Sequence, residues 1–197
     1  MPPTPAINVV FLDRDGVINR DSPEYIKSWA EFEFLPGSLD AIRLLSQNGF
    51  SIIIITNQSA IGRGMVPRET LEDMHRRMRL AIEARGGKID AIFFCPHTPD
   101  DDCGCRKPKP GLILRAAKTL NLDPRRAVMI GDSAKDIQCA RNAGCNTAVL
   151  VRTGNGRQAE TELKKRLMPP DHIADDLNAA VRWILGCAGH RTPRSAP

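Results

Sequence analysis

The chain has 197 residues, of which 42% are apolar and 26% charged, a composition typical of one folded domain with a full hydrophobic core. A net charge of +5 suits an anionic small substrate as well as nucleic acid, but aromatic residues, at 5%, are too few to favour a surface built on base stacking. No apolar run reaches the length of a transmembrane helix, and the first residues lack the features of a secretory signal. We therefore expect a cytoplasmic protein whose six cysteines are metal ligands or free thiols.

Predicted strands and helices alternate along the chain. The run from Phe50 to Thr56 is apolar enough for burial on both faces, as in a parallel sheet. The predicted strands span residues 7–12, 50–56, 89–94, 127–132, 147–151 and 172–174. The predicted helices span residues 39–48, with Ser38 as N-cap and Gly49 at the end, 67–85, 110–120, 135–143, 158–167 and 177–185. This alternation predicts an α/β fold, a three-layer sandwich around a mostly parallel sheet, in one domain over residues 1–188 with a loose tail at 189–197.

Two carboxylates and a glycine follow the first predicted strand, at Asp13, Asp15 and Gly16. Residues two apart on an extended chain point to the same side, and the glycine permits a sharp turn after them. Two like charges so close together require a cation, and Mg²⁺ is a hard cation that prefers oxygen ligands. We predict an active site here; the alternative is an ordinary strand-to-turn boundary, where Asp and Gly are common.

Polar residues also follow two other predicted strands, and in parallel sheets these carboxyl ends share one edge where ligands bind. The segment from Thr56 to Ser59 offers hydroxyl and amide donors that suit a phosphate, although a capped turn would explain it too. Asp132 follows the fourth strand, and Asp136 lies one helical turn later. With Asp13 they form a plausible oxygen cage for Mg²⁺, although Asp136 also suits the positive end of a helix dipole.

A basic segment precedes the helix that begins near Pro110. Lys107 suits the neutralisation of a transferring phosphoryl group, and Arg106 suits bidentate binding of a phosphate. The amino terminus of the helix adds partial positive charge. A solvated basic loop is the alternative, but the flanking prolines favour a loop of fixed shape.

Three thiols and one imidazole lie within eleven residues, at Cys95, His97, Cys103 and Cys105. Their number and softness match tetrahedral Zn²⁺, and four protein ligands leave no open position for catalysis, so we predict a structural zinc site. The alternative is that these cysteines are unrelated buried thiols, but a polar loop is poorly suited to bury them. We expect ordinary core or surface thiols at Cys139, Cys145 and Cys187, and solvated, non-catalytic imidazoles at His75, His172 and His190.

Together these segments resemble the haloacid dehalogenase-like phosphatases, whose four signatures appear in order as Asp13-Arg14-Asp15-Gly16, Thr56-Asn57, Lys107, and Gly131-Asp132 with Asp136. Two further features, Thr56-Asn57-Gln58-Ser59-x-Ile61-x-Arg63-Gly64 and the Cys-x-His…Cys-x-Cys loop, resemble the D-glycero-D-manno-heptose 1,7-bisphosphate phosphatases and the related histidinol phosphatases. The resemblance covers about residues 7–155.

The resemblance implies that Asp13 attacks phosphorus, that Asp15 exchanges protons with the leaving oxygen and the water, and that Thr56 and Lys107 hold the phosphoryl group. It also implies Mg²⁺ on the Asp13 side chain, the Asp15 carbonyl and Asp132, with Asp136 in support. The chain has no insertion large enough for a cap domain, so we expect an open site in which loops read the substrate. The predicted substrate-binding residues are Asp21, Ser22, Tyr25, Asn57, Gln58, Ser59 and, on a distal phosphate, Arg106.

The resulting prediction is a Mg²⁺-dependent phosphatase that removes the C7 phosphate of a heptose 1,7-bisphosphate. Only five residues separate His97 from Cys103, which keeps histidinol phosphate open as the substrate. A nucleic-acid 3′-phosphatase and a non-catalytic, zinc-stapled binding module are further alternatives. We expect a small phosphorylated substrate as the only partner, without nucleic acid or membrane, and a monomeric protein.

Overall fold

The computed structural model of the chain describes residues 7–189. Its strands are β1 (Val9–Leu12), β2 (Ser51–Asn57), β3 (Ala91–Cys95), β4 (Ala127–Gly131), β5 (Thr147–Val151) and β6 (His172–Ala174). Its helices are α1 (Ser38–Gln47), α2 (Ser59–Gly62), α3 (Arg68–Glu83), α4 (Gly111–Leu120), α5 (Ala134–Ala143), α6 (Gly156–Lys165) and α7 (Leu177–Gly189). The six predicted strands and six predicted helices occur in the predicted order, and α2 is an additional short helix.

All six strands form one parallel sheet in the order β3-β2-β1-β4-β5-β6. The strand β1 lies at the centre, and its last residue, Leu12, pairs with Ile54 of β2 on one side and Ile130 of β4 on the other. The chain leaves β1 toward β2 in one direction and later returns to its other side in β4. This reversal is the topological switch point, the place where ligands bind in open α/β sheets.

The alternation of side chains along β1 explains the three layers. Val10 and Leu12 face the core beneath α1, α3 and α7, whereas Val9 and Phe11 face the core beneath α4, α5 and α6. Both cores exclude water, because the four residues of β1 are at most 2% exposed. The apolar runs of β2 and β4 reflect the same double burial, which confirms the predicted sandwich.

Several element boundaries differ from the sequence-based predictions. Ser38 is not the N-cap of α1, because Gly37 takes that position with a left-handed φ of 76° and Ser38 becomes the first helical residue, with a buried side chain and no capping bond. The short helix α2 lies in the segment predicted as loop, since four residues cannot show a helical period. The strand β3 begins at Ala91 rather than Ile89, because its pairing with β2 starts there.

The connection from β1 to α1 is mostly irregular, as predicted, with a 3₁₀ turn at Trp29–Glu31. Within residues 7–189, every named strand belongs to the one sheet. No helix in this range is both long and apolar enough to cross a membrane. The predicted tail begins at Gly189, which ends α7; its other residues, and His190, lie outside the described part of the chain.

Candidate active site

One cavity of about 300 Å³ opens at the carboxyl ends of β1, β2 and β4. Its lining includes every residue predicted to act in catalysis or to bind substrate: Asp13, Asp15, Asp21, Ser22, Tyr25, Thr56, Asn57, Gln58, Ser59, Arg106 and Lys107, together with Asp132. Residues that are more than 100 positions apart in the chain therefore meet at the switch point of the sheet.

Asp13 directly follows β1 and is 8% exposed. Its Oδ2 lies 2.9 Å from Lys107 Nζ, and its Oδ1 accepts a hydrogen bond of 2.7 Å from the backbone N–H of Arg14. Burial raises the pKa of Asp13 to about 7, because desolvation and the neighbouring Asp136 outweigh the attraction of Lys107. The carboxyl group therefore lies in a place that favours additional positive charge.

Lys107 is almost fully buried and connects three groups. Its Nζ lies 2.9 Å from Asp13 and 2.6 Å from Asp136, and it donates to the carbonyl oxygen of Ile55 over 3.0 Å. Burial opposes its charge, but the two carboxylates raise the pKa of Lys107 above its usual range. Lys107 therefore carries a positive charge where it lines the cavity, and its predicted role toward a phosphoryl group stays a prediction.

Three carboxylates, those of Asp13, Asp132 and Asp136, have oxygens within 4.8 Å of one another. Burial, followed by the charges of Asp136 and Asp13, raises the pKa of Asp132 to about 8. A single buried lysine cannot neutralise three such groups, so the donor set and its charge fit a divalent cation. Asp136 is partly committed elsewhere, because its Oδ2 caps α5 by accepting from the N–H and hydroxyl of Ser133.

Two glycines leave space beside Asp132. A Cβ at Gly16 would lie 2.1 Å from Asp132 Oδ2, and a Cβ at Gly154 would lie 2.2 Å from the same atom. Both residues have left-handed φ angles, of 78° and 53°, which also favour glycine. Only glycine at positions 16 and 154 therefore leaves room for Asp132 Oδ2 where the structure places it.

Asp15 has its own cation rather than one shared with Asp13. Arg14 donates to both of its oxygens at 2.8 and 3.0 Å, Asn19 donates to Oδ1 at 2.8 Å, and Gln58 donates to Oδ2 at 2.8 Å. Burial works against ionisation, but Arg14 and these hydrogen bonds lower the pKa of Asp15. Among the protein's own cations, Lys107 therefore pairs with Asp13 and Arg14 pairs with Asp15, and the expected Mg²⁺ beside these aspartates stays a prediction.

The residues at the carboxyl end of β2 and just beyond it are more buried than a surface turn would be, with Thr56, Gln58 and Ser59 at most 6% exposed. Gln58 Nε2 donates to Thr56 Oγ1 over 2.9 Å as well as to Asp15. Gln58 therefore connects the Thr56 hydroxyl, at the end of β2, to Asp15, the second aspartate after β1.

Sequence reasoning missed Asn155, which also lines the cavity. Its backbone N–H donates to Asp132 Oδ2 over 2.8 Å, and its side-chain amide donates to Asp21 over 2.9 Å. The available signal was the Thr153-Gly154-Asn155 turn after β5, another strand end at the same edge. In that turn, Thr153 Oγ1 donates to the carbonyl oxygen of Gly16 over 2.6 Å.

The predictions for the histidines outside the loop are partly wrong. His75 is 6% exposed, because it lies on the inner face of α3 against Arg14 and Phe94. The charged residues around it in sequence gave no sign of this. His172, on the edge strand β6, is half-buried and stacks on Trp183 with ring centroids 4.2 Å apart.

The four predicted zinc ligands converge in the loop after β3. The three sulfur–sulfur distances among Cys95, Cys103 and Cys105 are 3.3–3.5 Å, and His97 Nδ1 lies 3.5 Å from Cys95 and 3.3 Å from Cys105. A tetrahedron with Zn–S bonds of about 2.3 Å has edges of roughly 3.7 Å, so the cluster has nearly the size of a zinc site. The remaining thiols behave as predicted: Cys139 and Cys145 are buried and Cys187 is exposed.

The zinc loop and the cavity are connected through Arg106. Its guanidinium donates to the carbonyl oxygen of His97 over 3.0 Å, and its side chain lines the cavity. The next residue, Lys107, lies against Asp13. The loop conformation therefore determines where both cations are placed.

A parallel sheet with acidic residues after β1 and β4, a hydroxyl at the end of β2 and a buried lysine at the same edge defines the class of haloacid dehalogenase-like hydrolases. The HAD-hydrolase-like family matches residues 104–180. A protein from Bordetella bronchiseptica named D-glycero-beta-D-manno-heptose-1,7-bisphosphate 7-phosphatase is 42% identical over 91% of this chain and 98% of its own. The protein of the same name from Pseudomonas putida is 42% identical over 91% of this chain and 100% of its own.

A crystal structure of the D,D-heptose 1,7-bisphosphate phosphatase from B. bronchiseptica, complexed with magnesium and phosphate, has a TM-score of 0.86 at 42% identity and covers 92% of this chain and 100% of that one. This chain belongs to the D-glycero-beta-D-manno-heptose-1,7-bisphosphate 7-phosphatase family.

Proposed function

We propose that this protein is a Mg²⁺-dependent phosphatase that hydrolyses the C7 phosphate of D-glycero-D-manno-heptose 1,7-bisphosphate and leaves the 1-phosphate. The names of its relatives support this substrate, and they specify the beta anomer. The observation that carries the proposal is the convergence of Asp13, Thr56, Lys107 and Asp132 on one cavity.

The proposed reaction has two displacements at phosphorus. A carboxylate oxygen of Asp13 attacks the C7 phosphate, the bond from phosphorus to the sugar oxygen breaks, and Asp15, protonated at this stage, gives its proton to that oxygen. Because the pKa of Asp15 is lowered in the free protein, this proton must be taken up when the anionic substrate binds beside it. Asp15 then takes a proton from water, which attacks the aspartyl-phosphate and releases inorganic phosphate with Asp13 restored. The Thr56 hydroxyl and Lys107 hold the phosphoryl oxygens, and Lys107 offsets their charge.

The Mg²⁺ ligands in this proposal are the side chains of Asp13 and Asp132 and the backbone carbonyl of Asp15. The raised pKa values of Asp13 and Asp132 and the space kept by Gly16 and Gly154 support this assignment. Bound Mg²⁺ would neutralise phosphate charge that otherwise repels the attacking carboxylate. Asp136 supports the site through Lys107.

The remaining cavity residues suit recognition of the sugar and its second phosphate. Arg106 is the cation proposed for the distal phosphate, because the zinc loop places it at the cavity. Hydroxyl and amide groups suit the sugar hydroxyls; they belong to Ser22, Tyr25, Asn57, Gln58 and Ser59, with Asp21 as an acceptor.

We propose a structural Zn²⁺ on Cys95, His97, Cys103 and Cys105. The spacing of these four side chains supports the assignment. Thiolate ligands need a reducing compartment, so we place the reaction in the cytoplasm. We also expect a monomer without affinity for nucleic acid.

Phosphate release from a substrate panel tests the function. The panel contains α- and β-heptose 1,7-bisphosphate, fructose 1,6-bisphosphate, histidinol phosphate and a DNA 3′-phosphate, and ³¹P NMR identifies the phosphate lost. We expect the β-heptose substrate to have the highest kcat/KM and to lose its C7 phosphate. Asp13→Asn, which keeps the shape of the side chain, should lose roughly 10⁴-fold or more of the activity. A higher kcat/KM for histidinol phosphate than for either heptose bisphosphate would instead identify the protein as a histidinol phosphatase.

A further inference from the structure

Arg14 is the middle residue of Asp13-Arg14-Asp15 and is only 1% exposed. A guanidinium is costly to bury unless its charge and its donors find partners. Arg14 uses one edge for Asp15, with Nε at 3.1 Å and the neighbouring nitrogen at 2.8 and 3.0 Å from the carboxylate oxygens. This forked contact restricts the rotation of the Asp15 carboxylate as well as balancing its charge.

The other terminal nitrogen of Arg14 lies 3.3 Å from Nε2 of His75. Arginine has no acceptor, so His75 must accept this hydrogen bond through an unprotonated Nε2. Burial and the charge of Arg14 lower the pKa of His75 to about 3, in agreement with a neutral ring. The Phe32 ring, 5.8 Å from the guanidinium, and the Phe94 ring, 5.8 Å from the imidazole, surround the pair.

A continuous line of contacts therefore runs from the inner face of α3 to the cavity: His75, Arg14, Asp15. The planar guanidinium binds Asp15 through two nitrogens, and the His75 ring packs edge-on against Phe94. Asn19 and Gln58 complete the set by binding one oxygen of Asp15 each. The carboxylate lies at the end of this line, 20% exposed, in position to meet a ligand.

We propose that Arg14 and His75 are positioning residues: His75 orients the guanidinium of Arg14, and Arg14 holds the Asp15 carboxylate in the orientation that proton transfer to the leaving oxygen requires. The inference rests on the proposed role of Asp15. Arg14 lines the cavity but is only 1% exposed, and His75 lies outside the cavity lining, so in this proposal both act through Asp15. If these two buried side chains only filled space, apolar residues would do so without the cost of burying a charge.

Two substitutions of His75 test the line of contacts. The amide of Gln reaches the position of Nε2 and can accept from Arg14, whereas the shorter Asn cannot. His75→Asn should therefore lower kcat, and His75→Gln should restore most of it. Ile82→Ala, which removes a fully buried side chain two turns further along α3, controls for loss of stability. Circular dichroism and thermal melting verify folding.

Two substrates separate positioning from structural damage. Heptose 1,7-bisphosphate has an alkoxide leaving group that needs a proton, whereas 4-nitrophenyl phosphate has a leaving group that does not. The first displacement is compared in single turnovers with excess enzyme, because Asp15 also activates water in the second displacement and steady-state kcat would mix the two steps. For His75→Asn we expect the single-turnover rate of leaving-group release to fall roughly 10–100-fold with the sugar phosphate and less than about threefold with the aryl phosphate, and the half-saturating concentration to change less than about twofold. On an Asp15→Asn background, His75→Asn should add no further loss.

The proposal is overturned if folded His75→Asn loses the single-turnover rate equally with both substrates, changes only the half-saturating concentration, keeps the full single-turnover rate with the sugar phosphate, or adds its loss to that of Asp15→Asn. If His75→Asn does not fold, Arg14→Lys, which keeps the charge but loses the fork, is judged by the same criteria. A wild-type protein that hydrolyses neither substrate would instead contradict the proposed function.

Discussion

The side-chain amide of Asn57 and the backbone of Lys107 exchange two hydrogen bonds. Asn57 Nδ2 donates to the carbonyl oxygen of Lys107 over 3.2 Å, and the Lys107 N–H donates to Asn57 Oδ1 over 3.1 Å. This pair connects the end of β2 to the loop that carries the zinc ligands. The Lys107 side chain lies against Asp13, so the exchange of hydrogen bonds sets the position of the lysine backbone relative to the proposed nucleophile.

Asn57→Ala should therefore lower kcat roughly 10–100-fold, because Lys107 loses both backbone contacts. Steady-state kinetics with the sugar bisphosphate measures the effect. The matched control is Asn142→Ala, which removes a hydrogen bond of 2.9 Å to the carbonyl oxygen of the next residue, Pro108, from outside the cavity. We expect the control to stay within about twofold of wild type; equal losses in the two variants would show that loop anchoring alone matters.

Gly154→Ala should weaken binding of Mg²⁺. The new Cβ would lie 2.2 Å from Asp132 Oδ2, so this carboxylate must move, and the φ of 53° adds backbone strain. Titration of activity against Mg²⁺ should show a raised half-saturating concentration.

Gly49→Ala is the control for Gly154→Ala. Its φ is 74°, but a Cβ there meets nothing within 4 Å. Both variants should lose about 1 kcal/mol of unfolding free energy through backbone strain. An unchanged Mg²⁺ requirement in folded Gly154→Ala would remove Asp132 from the proposed metal site.

Removal of zinc should destabilise the loop that places Arg106 and Lys107. We expect Cys105→Ser to lose its zinc, to melt roughly 5–10 °C lower and to lose activity, because the tetrahedral ligand set is broken. Elemental analysis and thermal melting measure the two effects. Cys187→Ser, at an exposed thiol, should keep about one zinc per chain. Less than half an equivalent of zinc in the wild-type protein would contradict the site.

Acid should destabilise the folded protein through His75. Its pKa is about 3 in the folded state, because burial and Arg14, aided by Arg79 and opposed by Asp15, disfavour the charged ring. In the unfolded chain the same imidazole has a pKa near 6.5, so between pH 6.5 and 3 the unfolded state binds a proton that the folded state does not. The stabilisation that neutral His75 gives the folded protein is therefore complete above about pH 6.5 and is lost progressively as the pH falls toward 3.

Between pH 7 and pH 5 this loss amounts to about 2 kcal/mol of unfolding free energy. Urea unfolding of wild type and His75→Gln at both pH values measures it. The variant should lose about 2 kcal/mol less than wild type over this range, since its amide does not titrate. Parallel pH profiles for the two proteins would show that His75 does not carry the effect.

Local sequence determined the class of fold and most of the candidate site. Apolar runs bounded by polar residues predicted the strand order along the chain, because burial on both faces leaves a visible pattern in β2 and β4. Asp13, Thr56 and Asp132 lie at the carboxyl ends of such strands, and the carboxyl ends of parallel strands share an edge, so their proximity could be inferred. The zinc ligands were equally accessible, since all four lie in one short loop.

Tertiary structure alone decided which cation serves which carboxylate. Lys107 pairs with Asp13 and Asp136, whereas Arg14 turns to Asp15 and His75, and nothing in the local pattern distinguishes these choices. The inner position of His75 and the contact of Asn155 with Asp132 depend on the packing of α3 and of the turn after β5. Periodicity records which face of an element is apolar, but the partner of a buried polar group depends on distances between segments far apart in sequence.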